Sequence, residues 1–282
     1  MQFEFAGTLG VADGRYLARN DEGAQSVLVV ETLGAPSPPG RRRRRSREVD
    51  PAAAPHSLPL SRATAVRAYE PFDSAKAGAG WLSGAVNVEG TVDALVAEGI
   101  QLLNRALHAQ ATASADPYGQ EVSPERAALV RIGYGGGEEV ASGRFSVARE
   151  VDVRGGSPRR RRREEELHPQ ERVAAVLGGR EQIDSCETLL LRARADLDGG
   201  RTREATLQLR VGLEALLVEL AGALVDPRHE EDMATLGARR HEVGEAANLA
   251  LRGELDAGRE SGVRELLEIC ERVIRRRRVL RG

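Results

Sequence analysis

An α+β fold is predicted by three features of the 282-residue sequence. The first third carries short β-favouring runs broken by turn residues, a single long 3.6-period apolar stripe follows, and everything beyond residue 169 repeats that helical period. The expected architecture is a mostly antiparallel N-terminal sheet with one long helix, followed by an all-α C-terminal helical bundle.

Taking the elements in order, Gln2 to Val11 places Phe3, Phe5 and Leu9 on one parity, as a strand with one buried face requires. Asp13-Gly14 is a two-residue hairpin signal, so Tyr16 to Arg19 is expected to return antiparallel to the first strand. Asn20-Asp21-Glu22-Gly23 reads as a second turn, and Ser26 to Leu33 is a continuous strand run. Residues 34–59 then gather Pro36, Pro38, Pro39, Pro51, Pro55 and Pro59 around an arginine run, a composition that buries too little apolar surface to offset its ordering entropy. A disordered insertion is expected there. Ala63 to Tyr69 reads as a fourth strand, and Asp73 or Ser74 is placed to cap a short helix that Gly78 and Gly80 weaken. From Thr91 to Ser114, Val92, Leu95, Val96, Ile100, Leu103 and Leu107 recur at intervals of three and four, which makes one long amphipathic helix. Ala127 to Ile132 is a strand running into Gly133-Tyr134-Gly135-Gly136-Gly137, and Phe145 to Val153 is expected to be the last strand.

These elements form a first domain at 1–153. Residues 154–168, rich in Gly, Pro, Arg and Glu, read as a linker to a helical bundle domain at 169–282. Pro169 suits a first helical turn, and Val173, Val176 and Leu177 make a short stripe closed by Gly178-Gly179. Ile183, Cys186, Leu189, Leu190, Ala193 and Leu197 make a second, ending at Gly199-Gly200, and Ala205 through Leu224 make a third, ending near Asp226-Pro227. Ala238 to Leu251 is a weaker helix, and Val263, Leu266, Leu267, Cys270, Val273 and Ile274 form the last stripe. Each stripe is one-sided, so the helices are expected to bury them against one another. Between Leu189 and Leu216, the residues Ala195, Leu197, Gly200-Arg201, Glu204-Ala205 and Leu213 resemble one tetratricopeptide-type helical hairpin. The resemblance covers about 30 residues with no neighbouring repeat, and it implies a helical hairpin of a kind used in protein–protein contact.

Composition narrows the function classes. No apolar run is long enough for a membrane-spanning helix, and Met1 is followed by Gln2-Phe3-Glu4-Phe5 rather than a secretory leader, so a cytoplasmic protein is expected. Cys186 and Cys270 fall on apolar helical stripes, where they fit as small buried hydrophobes rather than nucleophiles. Lys plus Arg total 41 and Lys76 is the only lysine, which leaves 40 arginines. The net charge of -2 conceals segregation: residues 51–153 carry −4 and 171–262 carry −6, whereas 154–170 carry +3 and 263–282 carry +4.

Candidate chemistry is sparse. Gly133, Gly135, Gly136 and Gly137 follow a strand and precede residues that can begin a helix at Glu138, a setting in which backbone N–H groups can cradle an anion, with Tyr134, Glu138 and Glu139 alongside. The Gly-Lys-Ser/Thr of a phosphate loop is absent, so a tight turn is the competing reading. His229 with Glu230, Glu231 and Asp232 offers metal-binding groups, against an exposed acidic turn. The arginine runs are Arg41, Arg42, Arg43, Arg44 and Arg45; Arg159, Arg160, Arg161, Arg162 and Arg163; and Arg275, Arg276, Arg277 and Arg278. Such runs can bind polyphosphates by counterion release, while aromatic residues for base stacking are not interleaved with them. The sequence is therefore read as a non-enzymatic interaction or scaffold protein that presents its C-terminal helical domain to an unknown protein partner, with no cofactor and no metal. The alternative is sequence-nonspecific nucleic-acid binding through the arginine-rich segments.

Overall fold

The computed structural model describes residues 1–19, 23, 25–34, 58–68, 71–153, 169–223 and 225–281. The chain divides into two compact units, Met1–Gly155 and Gly156–Gly282.

The first unit is built on six antiparallel strands: β1 (Gln2–Ala6), β2 (Gly14–Arg19), β3 (Gln25–Leu33), β4 (Leu60–Arg67), β5 (Leu129–Tyr134) and β6 (Val147–Glu150), in the order β2-β3-β4-β1-β5-β6. The Asp13-Gly14 hairpin expected from the sequence is not formed. Both edges of β1 are occupied, by β4 and β5, and β2 pairs instead with β3. Alternation along β1 explains the choice: Phe3 and Phe5 are buried, and pairing with Ala63 of β4 and Val130 of β5 joins them to the other apolar strand residues at the sheet centre. Asp13 has another role, accepting hydrogen bonds from the backbone N–H and the hydroxyl of Thr32 at 3.0 and 2.8 Å.

Leu33 pairs with Leu60, so the chain leaves β3 and re-enters directly opposite as β4. Residues 35–57, the bulk of the expected disordered insertion, and 154–168, the expected linker, lie outside the described residues. Leu58 and Pro59, next to the start of β4, are described, and the Pro59 carbonyl accepts a 2.7 Å hydrogen bond from the Gly7 N–H.

One long helix and, before it, the shorter one expected after Ser74 pack against this sheet. The long helix, α2 (Thr91–Ser114), buries Val96, Ile100, Leu103 and Leu107 against Phe3, Phe5, Leu28, Val30 and Ala63. The other, α1 (Ala75–Asn87), forms despite its glycines because Ser74 caps it, its side chain accepting from the Ala77 N–H. Gly78 is there for space: a Cβ would lie 2.7 Å from the Tyr134 ring over which the helix passes. On the sheet face that carries Gln2 and Glu4, polar residues are knitted together. Glu4 accepts from Arg62 and Arg131, and Gln2 donates to Thr64 and to the Gly143 carbonyl.

The second unit is helical: α4 (Pro169–Leu177), α5 (Ser185–Asp198), α6 (Thr202–Glu219), α7 (Pro227–Arg252) and α8 (Ala257–Arg281), numbered after the short α3 (Gly137–Ala141) of the first unit. Partner positions reveal the topology. Glu187–Arg278 and Arg194–Glu271 run in opposite directions along α5 and α8, Asp232–Arg272 and Arg239–Glu265 do so along α7 and α8, and Glu214–Arg240 and Arg210–Asn248 along α6 and α7. With the α5–α6 hairpin this makes an up-and-down four-helix bundle around Cys186, Leu190, Leu209, Leu213, Leu216, Leu266, Leu267 and Cys270. The hairpin read between Leu189 and Leu216 is present, continued by α7 and α8 into a closed bundle. Three readings need correction. Helix α7 starts at Pro227, not near Ala238, because Asp226 caps it by accepting from the His229 N–H. Ile183 precedes α5 and is 58% exposed, since the helix begins beyond Asp184. The stripe of α4 is not buried in the bundle core at all.

Candidate interaction surface

Helix α6 shows both of its faces most clearly. Leu209, Leu213 and Leu216 recur at three and four and are buried, as the sequence led one to expect. Val211 and Val218 are seven residues apart, two turns along the opposite side, and are 55% and 77% exposed. This outward pair escaped the sequence reading because the Leu stripe dominated it. The i, i+7 spacing was the available signal.

The arginine-rich end of α8 meets the start of α5 and of α7. Arg278 and Arg172 of α4 both bind Glu187, a first-turn residue of α5 that is only 3% exposed. Arg277 pairs with Asp184, which precedes α5. Arg276 pairs with Asp232 at 2.8 Å and with Asp226 at 3.7 Å, and Arg272 also holds Asp232. Carboxylates at helix N-termini face the positive ends of those helices, and guanidinium groups at the C-terminus of α8 face its negative end, so helix dipoles and ion pairs act in the same sense. The pairing also sets protonation. Burial acts to raise the Glu187 pKa, but hydrogen bonds from Arg278 and Arg172 outweigh it and hold the carboxyl below its ordinary 4.5. The Arg272 hydrogen bond, with that from Arg276, likewise lowers Asp232. Arg276, Arg277 and Arg278, offered by the sequence as phosphate contacts, thus have the unit's own carboxylates as partners. Arg275 belongs to the same turn. The acidic bodies flanking the arginine runs make intramolecular partners readable from the sequence, and the acids that receive these arginines are Asp184, Glu187, Asp226 and Asp232. Arg41, Arg42, Arg43, Arg44, Arg45, Arg159, Arg160, Arg161, Arg162 and Arg163 lie outside the described residues.

The glycine-rich turn has a packing role at two positions. A Cβ on Gly133 would stand 2.5 Å from the Val147 carbonyl oxygen and one on Gly135 3.1 Å from the Arg144 carbonyl oxygen, so both admit the returning strand. Gly136 and Gly137 are open, but the following α3 has five residues and carries Glu138 and Glu139 in its first turn, which opposes an anion there. Tyr134 packs edge-on to Phe72, and Glu138 points to solvent, 93% exposed, at 3.8 Å from Arg15.

His229 is placed differently from the exposed acidic turn read in the sequence. It lies in the first turn of α7, is 2% exposed, and neither ring nitrogen has a hydrogen-bond partner. Asp232 is engaged by arginines, and among the described residues no group of three His, Cys, Asp or Glu side chains is arranged to hold a metal ion. A buried polar group without a partner is destabilising, so His229→Leu is expected to raise stability by about 1 kcal/mol. Thermal unfolding followed by circular dichroism would detect this, and a lower melting temperature would show that the imidazole finds a partner after all.

Cys186 and Cys270 are buried in the bundle, where desolvation pushes both thiols up to about 12, far from a reactive thiolate at neutral pH. Between α7 and α8 runs an open groove of about 470 Å³ floored by Val243, Ala246, Val263 and Leu266. Its arginines are neutralised locally, Arg239 by Glu242 and Glu265 and Arg259 by Asp256. No described helix is long and apolar enough to cross a membrane. Compared with known proteins, the chain matches no protein-family model, no curated sequence and no solved structure.

Proposed function

We propose that this chain is a non-enzymatic protein-interaction module that works in the cytoplasm and presents its helical unit to another protein. The observation that carries the reading is the outward side of α6, where Val211 and Val218 stay exposed at two-turn spacing while the opposite face fills the bundle. Aliphatic side chains on a well-packed helix give a rigid, low-entropy contact for a partner's apolar surface. The ion pairs of Arg276, Arg277 and Arg278 support the same ranking, because guanidinium groups already matched by carboxylates offer little unbalanced charge to a polyanion.

The test is recovery of partners on the tagged, full-length chain from its native cell, with and without nuclease, in parallel with the double variant Val211→Asp/Val218→Asp. The expected result is a nuclease-resistant protein partner that the double variant fails to recover while its melting temperature stays within about 2 °C, since both sites are exposed. Recovery that nuclease abolishes would transfer the function to the arginine-rich segments. A partner retained equally by the double variant would remove α6 from the interface.

A further inference from the structure

Helix α4 is attached to the bundle in an unusual way. Its nine residues include no buried one: Ala175 and Val176 are half-buried, whereas Val173 is 57% and Leu177 84% exposed. Apolar burial therefore holds it weakly, and a helix shorter than about 12 residues has little stability of its own in water. Arg172 ties it down. Its Nε donates to Glu181 and its Nη2 to Glu187, each at 2.6 Å. Glu187 is the fixed side of this catch, 3% exposed on α5 and held in addition by Arg278 of α8, whose Nη2 lies 3.1 Å away.

We propose that α4 is a strap, latched onto the four-helix bundle through Arg172 and able to open while the bundle stays folded. The asymmetry of the catch makes this possible. When α4 lifts away, Glu187 keeps Arg278, so the bundle is not left with a buried unpaired carboxylate, the condition that makes breaking an ion pair costly. Arg172 gains full hydration in exchange for its two carboxylates. Opening would free the α4 flank bearing Val173 and Leu177 and uncover the Glu187 side of α5, whereas α5, α6, α7 and α8 retain their shared apolar core.

Hydrogen exchange followed by mass spectrometry on the full-length chain tests this, using wild type and Arg172→Met, which keeps an unbranched side chain of similar reach. In wild type the amides of α4 are expected to exchange at least about tenfold faster than the core amides of α5 to α8, because they open locally. In R172M the α4 amides should accelerate by about a further tenfold with the other four helices unchanged. Arg172→Lys, which retains charge but not the two-pronged grip, should fall between them. Protection of α4 that is as deep as the bundle's and unmoved in R172M would overturn the proposal. So would acceleration shared by α5 to α8, or an R172M chain that fails to fold, since either result would make α4 part of the bundle.

Discussion

Leu267→Ala should lower the stability of the helical unit by about 2–5 kcal/mol, the range expected when a fully buried leucine leaves a cavity that its neighbours fill only partly. Leu267 is 0% exposed and lies on α8 within the buried cluster that joins Leu190 of α5, Leu213 and Leu216 of α6 and Leu236 of α7, the core shared by the four bundle helices. Urea unfolding of the full-length chain, read by helical circular dichroism, would show the loss as a lower midpoint with a similar slope. The equivalent change at Val218, 77% exposed, should stay within about 0.5 kcal/mol and serves as the control. A loss at Leu267 no larger than that at Val218 would mean that α8 does not close the bundle.

Glu187→Gln should cost about 1–3 kcal/mol at pH 7 and make the remaining stability less sensitive to acid. Breaking a fully buried ion pair costs more, but Arg172 and Arg278 are 21% and 26% exposed, and water compensates part of what they lose. The pH dependence follows from the direction of the shift. Glu187 in the folded chain titrates below its ordinary 4.5, so its contribution is complete above that value and disappears as the pH falls through the folded pKa. Asp232, lowered by Arg272 and Arg276, acts in the same sense below its ordinary 3.8. Unfolding free energies of wild type and E187Q should therefore differ at pH 7 and draw together as the pH falls from 4.5 through the folded pKa of Glu187. A constant difference across that interval would show that the loss comes from altered packing rather than from the carboxylate charge. If α4 is a strap, the same substitution should also raise its exchange rate, through the catch rather than through Arg172.

The parts of this protein that could be read along the chain are those whose cause is local. Helix α2 was legible almost to the residue because a 24-residue amphipathic stripe has few alternative explanations. The buried face of α6 was equally plain. Helix α1 was harder, since Gly78 lowers helix propensity and only the Tyr134 ring beneath it explains why glycine is required. The start of α7 was missed because its first turns carry charged residues and a histidine rather than an apolar repeat, although Asp226-Pro227 is a sound capping pair. At the candidate surface, the arginines were visible and the particular acids they meet were not. Asp184, Glu187, Asp226 and Asp232 lie 40 to 93 residues away from the arginines of α8 that hold them.

Taken alone, the sequence determined the kind of each main element and the α+β succession, because alternation and the 3.6-residue period are written within single segments. It also determined which side of the long helices is apolar enough to bury. Tertiary structure alone decided which strands are neighbours, placing β1 between β4 and β5, and which stripes are actually covered. Val173 and Leu177 have the same local pattern as buried residues elsewhere, yet they stay exposed because four other helices already complete the core. The same holds for charge. An arginine run has one appearance along the chain whether it faces solvent, a polyanion or a buried carboxylate, and folding brought Glu187 under Arg172 and Arg278 by packing α5 antiparallel to α8.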